Sequence, residues 1–190
     1  MNVLLLGFNG YIGSRFYAHI RQRNIPYVID INIISREDPF ESYYNLLSFC
    51  KEKNVTFILN AAGYTGKPNV DACEDKKKET MRGNVYLPLL LSKVSEELRI
   101  PWGHVSSGCL WGFTGEGGGA IYSEQDEPHA LFGKEGPFSY YSATKALAEE
   151  LITDTSFRMN NLNCIGVGGN IFRTCYVWRL RIPFDNISDD

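Results

Sequence analysis

The sequence predicts a doubly wound α/β fold, a parallel sheet with helices on both faces, and three observations carry that prediction. Short apolar runs alternate with longer amphipathic ones, as a sheet covered on both sides requires. The first apolar run closes on Gly7-Phe8-Asn9-Gly10-Tyr11-Ile12-Gly13, a glycine-rich strand-to-helix turn. A later helical segment carries Tyr141 and Lys145, one turn apart and so on one face. The 190 residues, 44% of them hydrophobic, suit a single domain over 1–190 with its own core.

The elements follow in order. Val3–Leu6 is a short apolar run and reads as a buried strand; Tyr11–Arg23 is the helix that the glycine turn opens. Pro26–Ile29 is a second strand and Pro39–Lys53 a second helix. Val55–Leu59 is a third strand, ending at Asn60-Ala61-Ala62-Gly63. A long helical stretch runs from Asp71 to Leu98, interrupted near Arg82-Gly83. Pro101–Ser106 is the fourth strand, Tyr140–Thr153 the helix of the Tyr–Lys pair, and Cys175–Arg181 the fifth strand. Residues 112–137 form a loop rich in glycine and acid, long enough to be a lid or binding segment. Residues 155–174 have no sustained period of 3.6 or 2 and are expected to be an irregular surface excursion, the fifth strand beginning only near Cys175.

Bulk properties exclude several classes. A net charge of −3 and a pI near 5.7 give no electrostatic footprint for nucleic acid or an anionic membrane. Lys76-Lys77-Lys78 is short and flanked by acids, a solvated helix face. The five cysteines are odd in number and form no C-x-x-C pair, which argues against a zinc site and a secreted disulfide framework; no metal is expected, and a reducing cytoplasm is. Met1 leads straight into Asn2-Val3-Leu4-Leu5-Leu6 without the basic region of a signal peptide, and no apolar run approaches the roughly 20 residues of a membrane helix. No membrane partner is expected, and a homodimer is left open.

The chemistry-bearing residues come next. In the first turn Gly7 permits a sharp bend, Gly10 lets backbone approach a pyrophosphate, and Gly13 lets the helix pack on the sheet, while the helix N-terminus offers free N–H groups to phosphate. The turn thus points to a dinucleotide cofactor, NADP(H) or NAD(H). Asp30 could bind a ribose 2′-hydroxyl, Arg36 could pair with a 2′-phosphate, and Asp38 could accept from the adenine amine; these readings compete. A phenol near pKa 10 is a poor acid–base partner at neutral pH, so Lys145 is expected to lower Tyr141 by favouring the phenolate. Ser107 could hydrogen-bond the same substrate oxygen, and Tyr140 is packing. Cys109 could exchange a proton on a carbon next to a ketone; a buried structural cysteine is the other reading of it.

Taken together, Asn60-Ala61-Ala62-Gly63-Tyr64-Thr65-Gly66-Lys67-Pro68-Asn69-Val70-Asp71-Ala72-Cys73-Glu74, Asn84-Val85, Ser107-Gly108-Cys109 and Tyr141-Ser142-Ala143-Thr144-Lys145-Ala146 resemble the extended short-chain dehydrogenases. The chain is most similar to the branch of UDP-4-keto-6-deoxyglucose 3,5-epimerase/4-reductases and dTDP-4-dehydrorhamnose reductases, over residues 1–152 and 175–184. That resemblance implies a Rossmann-type fold and reduction, with epimerisation, of a nucleotide sugar. It implies catalytic roles for Ser107, Tyr141, Lys145 and Cys109, and cofactor contacts from Gly7, Asn9, Gly10, Tyr11, Ile12, Gly13, Asp38, Asn60, Ala61, Ala62, Gly63, Tyr141 and Lys145. It places Thr65, Asn69, Asn84 and Ser107 at the sugar, Asn84 also supporting the lysine's proton relay. In the family the part after the fifth strand supplies much of the sugar pocket, so a chain ending at Asp190 is expected to lack most of it. A non-catalytic dinucleotide-binding or regulatory module is therefore the competing expectation.

Overall fold

The structure, a computed structural model, describes residues 1–29, 39–111, 123, 126, 129–130, 138–153 and 175–180. Five strands, β1 (Val3–Leu6), β2 (Tyr27–Val28), β3 (Phe57–Asn60), β4 (Trp102–Ser107) and β5 (Cys175–Leu180), form one sheet in the order β2-β1-β3-β4-β5, parallel throughout. The order reverses between β1 and β3. Leu6 is in register with Asn60 there, so the carboxyl ends of both strands open on one crevice, where open α/β sheets bind ligands.

Helices α1 (Tyr11–Gln22), α2 (Pro39–Glu52), α4 (Leu87–Leu98) and α5 (Tyr140–Thr153) lie between the strands, with a shorter α3 (Lys77–Met81). Three of these helices end in the same way. Asn24, Asn54 and Arg99 have φ of 53°, 51° and 52°, the left-handed conformation that closes a helix. The next residue in each case is apolar, and its N–H returns to the helix: Ile25 to Ile20, Val55 to Cys50 and Ile100 to Ser95, at 3.0, 2.9 and 3.1 Å. Each termination throws the chain directly into the following strand.

Strand β1 is buried on both sides, and its alternation separates two cores. Leu4 and Leu6 join Ile58 and Trp102 beneath α2, α4 and α5, through Leu46, Cys50, Leu91, Val94 and Ile152. Val3 and Leu5 join Leu59 beneath α1, through Ile20, Phe16 and Tyr17. The doubly wound arrangement expected from the sequence is the one found.

Between Asp71 and Leu98 the structure differs from the expected long helix. A 3₁₀ turn (Val70–Cys73) precedes α3, and Arg82–Tyr86 form a π turn leading into α4. Its defining bond runs from Leu87 N–H to Arg82 O. Pro88, inside the first turn of α4, has no N–H to give to the carbonyl of Asn84, so the tighter α ladder cannot run through this point. The interruption near Arg82-Gly83 is thus a widened turn, and it carries Asn84 into the interior. The 155–174 excursion lies outside the described residues; β5 begins at Cys175 as expected. Of the 112–137 loop, Ala130 is described as buried against Leu110 and Ala146.

Candidate active site

Gly7 leaves β1 with φ +79°, and a Cβ there would stand 2.5 Å from the backbone of Ala61 and Ala62. Only glycine permits that conformation and that approach between the β1 and β3 turns. At Gly13 a Cβ would collide with the Gly7 carbonyl, so α1 sits directly on the turn that starts it. No side chain caps the N-terminus of α1 and its first turn holds no acid, leaving a free, positively polarised helix end beside exposed Asn9 and Gly10. Tyr11 is exposed and Ile12 half-buried at the same end. These residues fit the phosphates of a dinucleotide.

Across the crevice, Asn60 is fully buried at the end of β3. Its carbonyl oxygen accepts from Ala62 N–H at 3.0 Å, which turns its NH₂ toward His104 Nδ1, 3.0 Å away. Nδ1 is therefore the acceptor nitrogen. Burial, aided by the Lys145 charge, holds the His104 pKa well below its ordinary value, so the ring is neutral with its hydrogen on Nε2. The loop from Ala61 to Asn69 is gripped by Asn84, whose Oδ1 accepts from Tyr64 N–H at 2.8 Å and whose Nδ2 donates to Tyr64 O at 3.0 Å. A further bond joins Asn84 Nδ2 to Thr144 Oγ1 on α5, at 3.3 Å.

Helix α5 brings the remaining groups together. Its first N–H, from Tyr140, is capped at 2.5 Å by the carboxylate of Glu74, 66 residues earlier in the chain. Tyr141 follows, half-buried, beside Ser107 at the end of β4 and exposed Cys109 in the 3₁₀ turn after it. Ser107 Oγ accepts from Cys109 N–H at 3.2 Å, so its own hydrogen is free to point at a phenol or substrate oxygen. One turn deeper, Lys145 is 4% exposed, and its Nζ donates to Val105 O at 3.2 Å. Burial pushes the Lys145 ammonium down to about 8, with Glu149 opposing.

The structure thus gathers Ser107, Cys109, Tyr141 and Lys145 at the carboxyl end of β4. The expected lowering of Tyr141 is not found. Its pKa is raised, first by burial and further by the Cys109 and Cys73 thiols, with only the hydrogen bond to Ser107 lowering it. The Lys145 head is directed to the β4 backbone, not to the phenol. Thr65 is exposed on the gripped loop. Asn69 is exposed too, but its Oδ1 accepts from Asp71 N–H at 3.1 Å and caps the 3₁₀ turn. Asn84 is buried with its amide occupied by Tyr64 and Thr144, which makes it a support for the loop and not a group facing sugar. Asp30, Arg36 and Asp38 lie outside the described residues. Sequence reasoning passed over His104, Glu149 and Arg179 and saw Glu74 only as part of a motif; the helical spacing from Tyr141 through Lys145 to Glu149 was the one local signal available.

Among the described residues there is no cluster of His, Cys, Asp and Glu able to hold a metal, and no helix is long and apolar enough to cross a membrane. A parallel doubly wound sheet with a glycine turn at its switch point defines a Rossmann-type domain. Within that class the family described as the RmlD substrate binding domain matches residues 1–177, and the chain belongs to it. It is 32% identical over 157 residues to a trifunctional UDP-glucose 4,6-dehydratase/UDP-4-keto-6-deoxy-D-glucose 3,5-epimerase/UDP-4-keto-L-rhamnose-reductase of Arabidopsis thaliana, covering 81% of this chain and 22% of that one. The crystal structure of a UDP-rhamnose synthase from Acanthamoeba polyphaga mimivirus shares the fold, with a TM-score of 0.69 at 20% identity over 95% of this chain and 56% of that one. So does a Bacillus anthracis dTDP-4-dehydrorhamnose reductase solved in complex with NADP, at a TM-score of 0.65 and 15% identity over 95% and 53% of the two chains. The chain spans little more than half the length of these solved relatives and about a fifth of the plant protein.

Proposed function

We propose that the chain carries the cofactor-binding and proton-donating half of an NAD(P)H-dependent reductase of 4-keto-6-deoxy nucleotide sugars, acting with 3,5-epimerisation in rhamnose-type nucleotide-sugar synthesis. The observation that carries this is the convergence of Ser107, Tyr141 and Cys109 at the end of β4, with Lys145 beneath them on α5. Gly7, Asn9–Gly13 and Ala61–Gly63 would hold the dinucleotide, which when bound supplies a hydride. The raised phenol of Tyr141 suits the reductive direction, because it stays protonated and can give its proton to the oxygen of the 4-keto group. Ser107, with its hydrogen unengaged by Cys109, holds that oxygen toward the phenol. The Lys145 ammonium favours the phenolate left behind. Cys109, exposed beside Tyr141, is placed to move the proton on the carbon next to the ketone, which the ketone acidifies.

Tyr141→Phe should abolish NADPH oxidation with UDP-4-keto-6-deoxyglucose while dinucleotide affinity stays within about twofold, since the hydroxyl alone is lost. Turnover retained in that variant would overturn the assignment. Dinucleotide binding without any sugar binding by the wild-type chain would instead favour the non-catalytic module.

A further inference from the structure

Three buried polar atoms on one side of the sheet lack a protein partner among the described residues: His104 Nε2, Ser106 Oγ and Glu149 Oε1. Their placement brings them together. His104 and Ser106 alternate with Trp102 on the face of β4 that α5 covers, Trp102 and Ile152 sharing one core there. Ser106 is in register with Arg179 of β5, whose side chain lies on the same face and reaches Glu149 of α5. Both Arg179 Nε and Nη2 approach a single oxygen, Glu149 Oε2, at 2.8 Å. That grip leaves Oε1 as an acceptor with no protein partner among the described residues, on the face of the sheet that carries Ser106. The donors and acceptors are complementary, because the Asn60 contact forces the His104 hydrogen onto Nε2. Nε2–H and the Ser106 hydroxyl can give hydrogen bonds and Glu149 Oε1 can receive one, the set of partners a buried water needs.

We propose that Glu149, clamped by Arg179, is a positioning residue for Lys145, acting on its ammonium across one helix turn while an internal water shared with His104 and Ser106 fixes its second oxygen. This rests on reading Tyr141 and Lys145 as the acid–base pair. Glu149 lies one turn beyond Lys145 and is 4% exposed, so its charge acts on the ammonium with little screening. Among the described residues, the groups on the elements packed around the ammonium are Tyr141 on its own helix, neutral His104 on β4, Cys109 after β4, Cys73 in the 3₁₀ turn and Arg179 on β5, with the Glu74 carboxylate engaged by the Tyr140 N–H at the start of α5. Glu149 is the acid whose charge favours the Lys145 ammonium in an interior that disfavours charge. Arg179, itself lying 5.0 Å over the Trp111 ring, keeps that anion from turning away. Without the carboxylate the lysine becomes a neutral amine at physiological pH and ceases to support a phenolate.

The test reads Lys145 directly. In wild-type protein labelled with ¹⁵N-lysine, the Lys145 ammonium signal, identified by its absence from Lys145→Met, should titrate near pH 8. Glu149→Gln should lower that midpoint by about one pH unit or more, and Glu149→Asp should restore most of it. Ser106→Val, which fills the water's place while leaving Glu149 and Arg179 intact, should lower it by a smaller amount. This second variant decides the matter if Glu149→Gln does not fold. A midpoint unchanged in either variant overturns the proposal. Where the chain reduces sugar, the alkaline limb of kcat should move with the midpoint. A moving midpoint in a chain that turns nothing over would uphold the Glu149–Lys145 link and sink the reductase reading instead.

Discussion

The two walls of the crevice are built by different physics. On the β1 side backbone does the work: Gly7 at φ +79°, Gly13 against the Gly7 carbonyl, and a helix end capped by no side chain. On the β4 side the work falls to side chains from distant parts of the chain. Asn84 holds Tyr64, Asn60 sets the tautomer of His104, Glu74 caps α5, and Arg179 holds Glu149. A backbone cradle needs only a few residues in one order, whereas a side-chain site needs the whole fold to bring its members together. The first wall should therefore fail all at once when a Cβ is added at Gly7 or Gly13, and the second should degrade in steps.

The sharpest break of that contrast is Gly13→Ala. Its methyl has nowhere to go but into the Gly7 backbone, so we expect a loss of about 3 kcal/mol or more in unfolding free energy, and of measurable NADP(H) binding by titration. Asn84→Ala comes next. It strands the N–H and C=O of Tyr64, at about 2–3 kcal/mol in chemical denaturation, and loosens the loop bearing Thr65 while dinucleotide affinity changes little. Equal loss of affinity in the two variants would erase the distinction between the walls.

A smaller effect comes from His104. Its folded pKa lies well below the unfolded 6.5, so the stability it contributes is complete above 6.5 and is lost as pH falls. Below pH 6.5 the wild-type unfolding free energy should therefore fall by about 1.4 kcal/mol per pH unit more steeply than that of His104→Gln. Parallel curves would mean that the ring is already charged. Least of all should come from Gly10→Ala. A Cβ there meets only the Gly7 oxygen, at 3.3 Å, so we expect a stability change of a few tenths of a kcal/mol. Any defect in that variant should appear in phosphate binding alone.

The same contrast explains what was legible beforehand. The five strands, the start of α1 at Tyr11 and the Tyr141–Lys145 helix follow from local pattern, since glycine spacing and apolar runs report directly on backbone. The π turn was visible only as a weakness near Gly83, because its cause is one missing N–H at Pro88 acting with tertiary burial of Asn84. Assigning Asn84 to the sugar came from resemblance, and burial reassigns it to the loop. The expected lowering of Tyr141 by Lys145 assumed that spacing on a helix fixes where a long side chain ends. In the structure Lys145 Nζ turns to Val105 O. Arg179 could not be paired with Glu149 from sequence, since 30 residues separate them and no periodicity spans the gap.

The bond from Glu74 to the first N–H of α5 has a consequence for how this stretch can vary among relatives. Residues 63–69 are mostly exposed, and Thr65, Lys67 and Pro68 fill no interior space, so their identities are open to drift. Their number is not. Glu74 leaves the loop through a 3₁₀ turn anchored by buried Cys73 and must arrive at Tyr140 within hydrogen-bonding distance. One residue gained or lost between Gly63 and Glu74 would withdraw the carboxylate and leave the helix of Tyr141 uncapped. The stretch is free to change its spelling while the cap fixes its length, so the exposed surface it presents can be altered by substitution far more easily than by insertion.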